Sequence, residues 1–427
     1  MIPVQICVSD SRKSFQQVNK FVVANFKNQQ TVKMLETMNL NESQITEALS
    51  DMLDKGKNVN DLMQLVLNSM MKSERTAHLE ESKDNKGNGY RLGKVFGFGT
   101  QLELRIPRDR RSNFMPKLLA ILREEDTYLR EVCFDLYSRG LTTRDISSAM
   151  EKIYGGSFSK SKISNISQSF YEEMEAWRNR ELDSHYLAFY IDGIHVKLRR
   201  GVHYETECFY VIMALREDYR REIVAVVNRP TESASSWEMI FKDLKKRGVE
   251  SVGLIVSDGL SGLEKSISSV FGGTPHQKCI VHLQRILKDY VRPKDREELA
   301  EDMRYVFSPE KDDYTQDMAH KALLNVGDKW GKKYKSLEKY IRKLDWQPYF
   351  TYLNYDKRVR RMIYTTNWIE RFNRSARRTL KIRGAFPDED SVLALITATA
   401  REKEEKTYNY PIYNFKFEPK LMRKKKE

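Results

Sequence analysis

The change of hydrophobic period near residue 186 constrains this chain more than any other feature. Three extended runs follow it, YLAFYIDGIHVKLR, YETECFYVIMALR and REIVAVVN, rich in aromatic and β-branched residues. A helix comes next over SASSWEMIFKDLKKRG, with Trp237, Ile240, Phe241 and Leu244 on one face and Gly248 as its stop. The run VGLIVSDG after it has the continuous apolar character of a strand buried in a parallel sheet. Three strands, a helix and a further strand point to an α/β sheet, whose ligands belong at the carboxyl ends of its strands.

That order is the order of a ribonuclease-H-like core. Residues 293–360 show only helical periodicity, for example Trp330, Tyr334, Leu337, Ile341 and Leu344, before a further helix around TTNWIERFNRSARRTLK. The expected fold is therefore an α/β ribonuclease-H-like catalytic core over 181–292 and 361–405, interrupted by an all-α insertion at 293–360 and followed by a basic tail at 406–427. Helical DNA-binding domains are expected before it. Residues 1–72 read as helical, with Ile45, Ala48, Leu49, Met52 and Leu53 recurring after the candidate N-cap Asn41 as far as Gly56, then a second stripe of Leu62, Leu65, Val66 and Met70. The polar stretch KSERTAHLEESKDNKGNG reads as a linker, placed at 73–100. Residues 101–180 carry a helix-turn-helix-like pattern: a helix near 127–139, Gly140, a helix from Thr142–Thr143, the Gly155–Gly156 break, and a third helix capped by Ser159. Lys160, Lys162 and Asn165 then fall where such helices meet phosphates and base edges.

Charge names the class of partner. The 427 residues carry 74 Lys and Arg against 60 Asp and Glu, a net +14, which favours a polyanion because cationic contacts to phosphates release condensed counterions. The four cysteines, Cys7, Cys133, Cys208 and Cys279, form no Cys-x-x-Cys pair, so neither a disulfide framework nor a zinc ribbon is expected and a reducing cytoplasm fits. The start MIPVQICVSDSRKS lacks the pattern of a signal peptide, and no apolar run approaches the roughly 18 residues that span a bilayer. No membrane partner is expected.

Two acids stand in apolar settings. Asp192 lies inside the first strand run and Asp258 at the carboxyl end of the fourth. If Glu370 on the late helix packs against the same sheet end, three carboxylates converge, as two divalent ions roughly 3.5–4 Å apart require. Hard oxygen ligands suit Mg2+ or Mn2+. Taken singly, each acid is as well read as a turn former or a solvated charge. Around Glu370, Arg371, Arg374, Arg377, Arg378, Lys381 and Arg383 crowd one short region that could steer a DNA backbone. Cys279 and His282 form a Cys-x-x-His half-site without a second pair nearby, so no zinc is expected.

The chain resembles the Mutator-type family of bacterial insertion-sequence transposases, which carry a DDE triad. The resemblance rests on PRDRRSNF, YIDGIHVKLR, ESASSWEMIFKDLKKRGVESVGLIVSDGLSGL, QKCIVHLQR and YTTNWIERFNRSARRTLKIRGAFPDEDS, in family order from about residue 103 to 400. It implies catalytic and metal-binding roles for Asp192, Asp258 and Glu370, with Cys279, His282 and Trp237 in support. It also implies double-stranded DNA as partner, cut at terminal inverted repeats and joined to target DNA. Two ends must meet, so a homo-oligomer on DNA is expected. Departures are His195, where the family often has an aromatic or aliphatic residue, and QRILKDY, which lacks its Arg-Asn pair. A rival reading is a transposase-derived DNA-binding protein without catalysis. Another is a recombinase with a covalent phosphoprotein link, for which no convincing Tyr or Ser nucleophile with an Arg-His cluster is present.

Overall fold

A computed structural model describes residues 59–81, 84–97, 100–154, 160–228 and 233–422. The helical pattern expected before Gly56, the Gly155–Gly156 break, the Ser159 cap and the last residues of the basic tail lie outside them. The chain divides into two compact units, 1–125 and 126–427.

The first unit contains helix α1 (Val59–Glu80), the antiparallel hairpin β1 (Gly87–Gly97) and β2 (Thr100–Asp109), and the start of helix α2 (Lys117–Ser138). Leu102, Leu104 and Ile106 alternate inward along β2 and meet Leu118, Leu119 and Leu122 of α2 and Leu67 and Met71 of α1. Two sequence readings change here. The stretch read as a linker is a helix as far as Glu80 and then one strand of a hairpin. Its glycines suggested a loop, yet Gly93 is a packing position, since a Cβ there would stand 2.5 Å from Ile106 Cδ1. The buried face of α1 is also rotated from the expected stripe: Leu67 and Met71 are buried, with Met63 and Met70 beside them, while Leu65 is 53% exposed.

The second unit opens with the rest of α2, then α3 (Thr143–Tyr154) and α4 (Lys160–Arg178). Thr142 and Asp145 cap α3 reciprocally, the Asp145 N–H donating to Thr142 Oγ1 at 3.2 Å and the Thr142 N–H to Asp145 Oδ2 at 3.0 Å. Gly140 precedes them at φ 93°, and a Cβ there would meet the Thr379 carbonyl at 2.7 Å. The sheet follows. Strands β3 (His185–Arg200), β4 (His203–Arg216) and β5 (Arg221–Asn228) form an antiparallel meander; β6 (Ser251–Val252) and β7 (Ile255–Ser257) run parallel to β3, and β8 (His276–Lys278) parallel to β7. The strand order is β5-β4-β3-β7-β8. Helix α5 (Ala234–Lys246), capped by Ser233, buries Trp237, Ile240, Phe241 and Leu244 against it, the four residues its spacing singles out.

From α6 (Leu263–Val270) and α7 (Ile280–Asp289) onward the chain is helical apart from β8: α8 (Arg296–Val306), α9 (Gln316–Gly331), α10 (Lys335–Lys343), the short α11 (Gln347–Phe350), α12 (Lys357–Ile363), α13 (Asn367–Arg383) and α14 (Glu389–Lys403). Helix α13 packs on β3, and α14 is buried on all sides from Ser391 to Ala400. No helix among the described residues is long and apolar enough to cross a membrane. Beyond α14 the chain docks through Tyr408, Phe415 and Leu421, all buried, with the Leu421 carbonyl accepting from His185 Nε2 at 2.8 Å.

Glu404 closes the free edge of β5, its carboxylate accepting the Ile223 N–H at 2.6 Å with Arg180 Nη2 at 3.7 Å. Burial pushes this carboxyl up from 4.5 to about 7. The folded chain therefore keeps a proton that the unfolded chain has lost, so the contribution to stability is full below about pH 4 and is lost as the pH rises through about 7. Glu404→Gln is expected to stabilise the protein by about 1–3 kcal/mol at pH 8 and hardly at all at pH 4. Thermal unfolding of both proteins at the two pH values checks this, and equal gains at both would contradict it.

Candidate active site

Asp192 sits in β3 and Asp258 directly after β7, and the parallel register that pairs Ile191 with Ser257 sets the two acids at adjoining positions on neighbouring strands. Asp192 is only 9% exposed. Its Oδ1 accepts the Gly193 N–H at 2.8 Å and its Oδ2 accepts Asn373 Nδ2 at 2.7 Å, so one carboxylate is oriented by its own strand and by α13. Gly193 has no room for a side chain, because a Cβ would stand 2.6 Å from Cys208 Sγ and 3.5 Å from Tyr210. Tyr210 in turn stacks edge-on against Trp237 at 4.7 Å between ring centroids. Trp237 thus packs in the core against Tyr210, whose ring lies beside Gly193.

Glu370 lies in the first turn of α13, and Thr366 ties it to Asp258. The Thr366 hydroxyl is 3.3 Å from Asp258 Oδ1 and 3.2 Å from Glu370 Oε1, and also 3.2 Å from Cys279 Sγ. Cys279, 1% exposed, is the N-cap of α7 and follows β8, so the sulfur and the His282 imidazole one turn later are delivered to Asp258 by one strand-to-helix junction. The strand here is His276–Lys278, and Ile280 already begins the helix. His282 Nδ1 stands 2.7 Å from Asp258 Oδ1, an ion-pair distance whose angle falls short of a straight hydrogen bond, and 4.0 Å from Glu370 Oε1. Arg285 completes the rim, 3.8 Å from Glu370 Oε2 and 3.1 Å from His282 Nε2.

The electrostatics follow from this crowding. Burial, then the Asp258 carboxylate, push Asp192 up to about 6, against the Gly193 and Asn373 donors that favour its ionised form. The Asp258 carboxylate, then Cys279, push His282 up to about 10. Asp258, Cys279 and His282 offer ligand atoms that all lie within 4.8 Å of one another. The sequence reading saw Cys279 and His282 as a pair without further ligands; the fold supplies Asp258 as a third.

Of the remaining residues singled out, Arg371, Arg374, Arg377 and Arg378 are exposed on α13. Arg377 is committed, donating to the Gly193 carbonyl at 3.1 Å beside Asp192, and Arg383 donates to Tyr137 OH at 2.9 Å. Lys160 and Lys162 lie in the first turn of α4, and Asn165 is exposed in its second. Sequence reading missed Thr366 and Asn373. Both were within reach of it, because 366, 370, 373 and 377 recur at helical spacing on the face that carries Glu370.

The family model described as Transposase, Mutator family, matches residues 28–409. The chain belongs to the Mutator family of transposases. This Mutator-family chain is 31% identical to the transposase for insertion sequence element IS905 of Lactococcus lactis, over 78% of its own length and 84% of the relative's. It is 29% identical to the transposase for IS1201 of Lactobacillus helveticus, over 82% and 93% of the two lengths. With the transposase for IS256 in transposon Tn4001 of Staphylococcus aureus the identity is 26%, over 81% and 89%.

Proposed function

We propose that this Mutator-family chain is a DNA transposase that binds the terminal inverted repeats of an insertion sequence and catalyses metal-dependent strand cleavage and strand transfer. Asp192, Asp258 and Glu370 are the catalytic acids. The observation that carries this reading is the placement of the acids: Asp192 on β3 and Asp258 at the end of the adjoining β7, with Glu370 joined to Asp258 through the Thr366 hydroxyl. The strand order β5-β4-β3-β7-β8, antiparallel on one side of β3 and parallel on the other, supports the ribonuclease-H-like assignment of the core.

The donor set fits a hard divalent cation, since the Asp258 carboxylate stands close enough to Asp192 to disfavour its ionised form, a cost that positive charge removes. When bound, a pair of Mg2+ or Mn2+ ions supplies activation of water or a 3′-hydroxyl and stabilises the leaving oxygen. The chain's own groups do the rest. Gly193 and Asn373 fix the Asp192 carboxylate, Thr366 spaces Asp258 from Glu370, and Arg285 beside Glu370 offers a cation to phosphate. Arg371, Arg374 and Arg378 face solvent on the same helix, and with Lys160, Lys162 and Asn165 on α4 they are the DNA contacts of this reading. Arg377 steadies β3 instead. Joining two ends calls for a homo-oligomer on DNA, in the cytoplasm where the nucleoid lies.

Metal dependence is the test of this function. Nicking of a plasmid that carries candidate element ends should stop with chelator and return with Mg2+ or Mn2+; nicking that survives excess chelator would overturn the metal mechanism. A zinc-centred alternative makes Asp258, Cys279 and His282 a site of their own. Four ligands are the norm for structural zinc, and the Cys279 sulfur here already accepts from the Thr366 N–H and hydroxyl. Purified, tag-free protein is expected to hold no stoichiometric zinc, and His282→Ala to slow cleavage by about 10–100-fold, because groups that orient metal ligands matter nearly as much as the ligands. Zinc at one equivalent, lost in Cys279→Ser, would refute that expectation.

A further inference from the structure

The segment PRDRRSNF builds a feature of its own in the first unit. A cleft of about 510 Å³ opens between the end of β2, the turn at 110–116 and the start of α2, bordered by Arg91, Arg108, Ser112, Asn113, Phe114 and Leu119. We infer that this cleft is a second DNA-contact surface that grips backbone phosphates through Arg91 and Arg108. The inference rests on the transposase reading for the identity of its polyanion.

The turn is held from inside. Asp109 is 1% exposed, its Oδ2 accepting Asn85 Nδ2 at 2.7 Å and its Oδ1 accepting the Phe114 N–H at 3.2 Å. These donors hold its carboxyl below the usual range, the Asn85 amide most of all. The negative charge of Asp109 is thus occupied by the turn itself. Ser112 takes the left-handed conformation at φ 55°, which turns the chain back toward α2. From the other side Arg75 donates to the Gly89 carbonyl at 2.9 Å and the Arg108 carbonyl at 3.3 Å, pinning both strands of the hairpin.

Arginines with structural work can be told from those without. Arg75 is used by the backbone, Arg105 lies over the Tyr90 ring, and Arg111 faces Asp84 at 4.0 Å. Arg91, Arg108 and Arg110 are exposed, and no carboxylate among the described residues lies within ion-pair distance of any of them. Like charges gathered on a rigid frame without counter-charge suit a polyanion supplied from outside. The guanidinium fork matches phosphate oxygens, while the apolar floor of Phe114 and Leu119 suits sugar edges. Contacts of this kind hold DNA without reading its sequence.

The test uses full-length protein and a fluorescein-labelled duplex of random sequence, titrated by anisotropy over a range of salt. Each phosphate contact contributes about 0.9 to the slope of log affinity against log salt. Arg91→Gln with Arg108→Gln is expected to lower that slope by about 2 and to weaken binding roughly tenfold or more near 0.1 M salt. Arg91→Lys with Arg108→Lys keeps the charge and should keep the slope, which separates phosphate contact from damage to the fold. A slope equal to wild type in the Gln variant would overturn the cleft alone, as would an equal loss in the Lys variant. Wild-type protein that fails to bind any duplex would overturn the transposase reading, and the cleft with it.

Discussion

Asp192→Asn, Asp258→Asn or Glu370→Gln should each lower DNA strand cleavage by roughly a thousandfold or more, with duplex binding almost unchanged. Each change keeps the shape of the side chain and removes one negative charge from the place where three meet. The phosphate contacts lie elsewhere, so binding survives. The same arrangement predicts a second effect of opposite sign. Asp192 is held near Asp258 in a buried setting that disfavours its ionised form, so relieving that crowding should stabilise the metal-free protein. Asp192→Asn is expected to unfold at a higher temperature than wild type in chelator while losing cleavage. A purely structural Asp192 would give the reverse, with stability lost and cleavage retained in whatever protein stays folded. Near-normal cleavage by any of the three variants would remove that residue from the site.

Asn373 should give the next largest loss. It is fully buried and donates to Asp192 Oδ2 at 2.7 Å. Asn373→Ala frees the Asp192 carboxylate to rotate and is expected to slow cleavage by about 10–100-fold, mostly through weaker metal binding. Asn373→Asp sets a second carboxylate against Asp192 and should cost more. Single-turnover cleavage against Mn2+ concentration separates positioning from folding: a positioning role moves the Mn2+ midpoint upward, whereas loss of folded protein lowers the amplitude and leaves the midpoint in place.

The sequence was most legible where one signal ran uninterrupted. The β3, β4 and β5 strands declared themselves because aromatic and β-branched residues fill each run, and α5 did so because Trp237, Ile240, Phe241 and Leu244 repeat at helical spacing. Asp192 and Asp258 stood out for the same reason, as acids in apolar company. Legibility failed where one face is buried and the other polar over a short span. The first strand of the hairpin, Gly87–Gly97, fell within the stretch read as a linker because the residues leading into it, KSERTAHLEESKDNKGNG, are polar and end on Gly87 and Gly89, the composition of a loop. Tyr408, Phe415 and Leu421 dock singly, so the segment they anchor carries no helical or strand period. Within the site, Thr366 and Asn373 went unread because neither residue type draws attention by itself. Their meaning is relational and appears only when their spacing to Glu370 is laid on a helix. Trp237, read as part of the apolar face of α5, lies in the core against Tyr210.

The most direct test of the central claim is a plasmid carrying two candidate element ends, incubated with wild-type protein or with Asp258→Asn in Mg2+, the strand breaks then mapped to the nucleotide. Asp258 is the best choice because Thr366, His282 and, through them, Glu370 all converge on it. Breaks at the element ends that need both Mg2+ and Asp258 are the predicted result. Breaks at the same positions with Asp258→Asn, or without divalent metal, would contradict the assignment of Asp192, Asp258 and Glu370 as one metal-dependent centre.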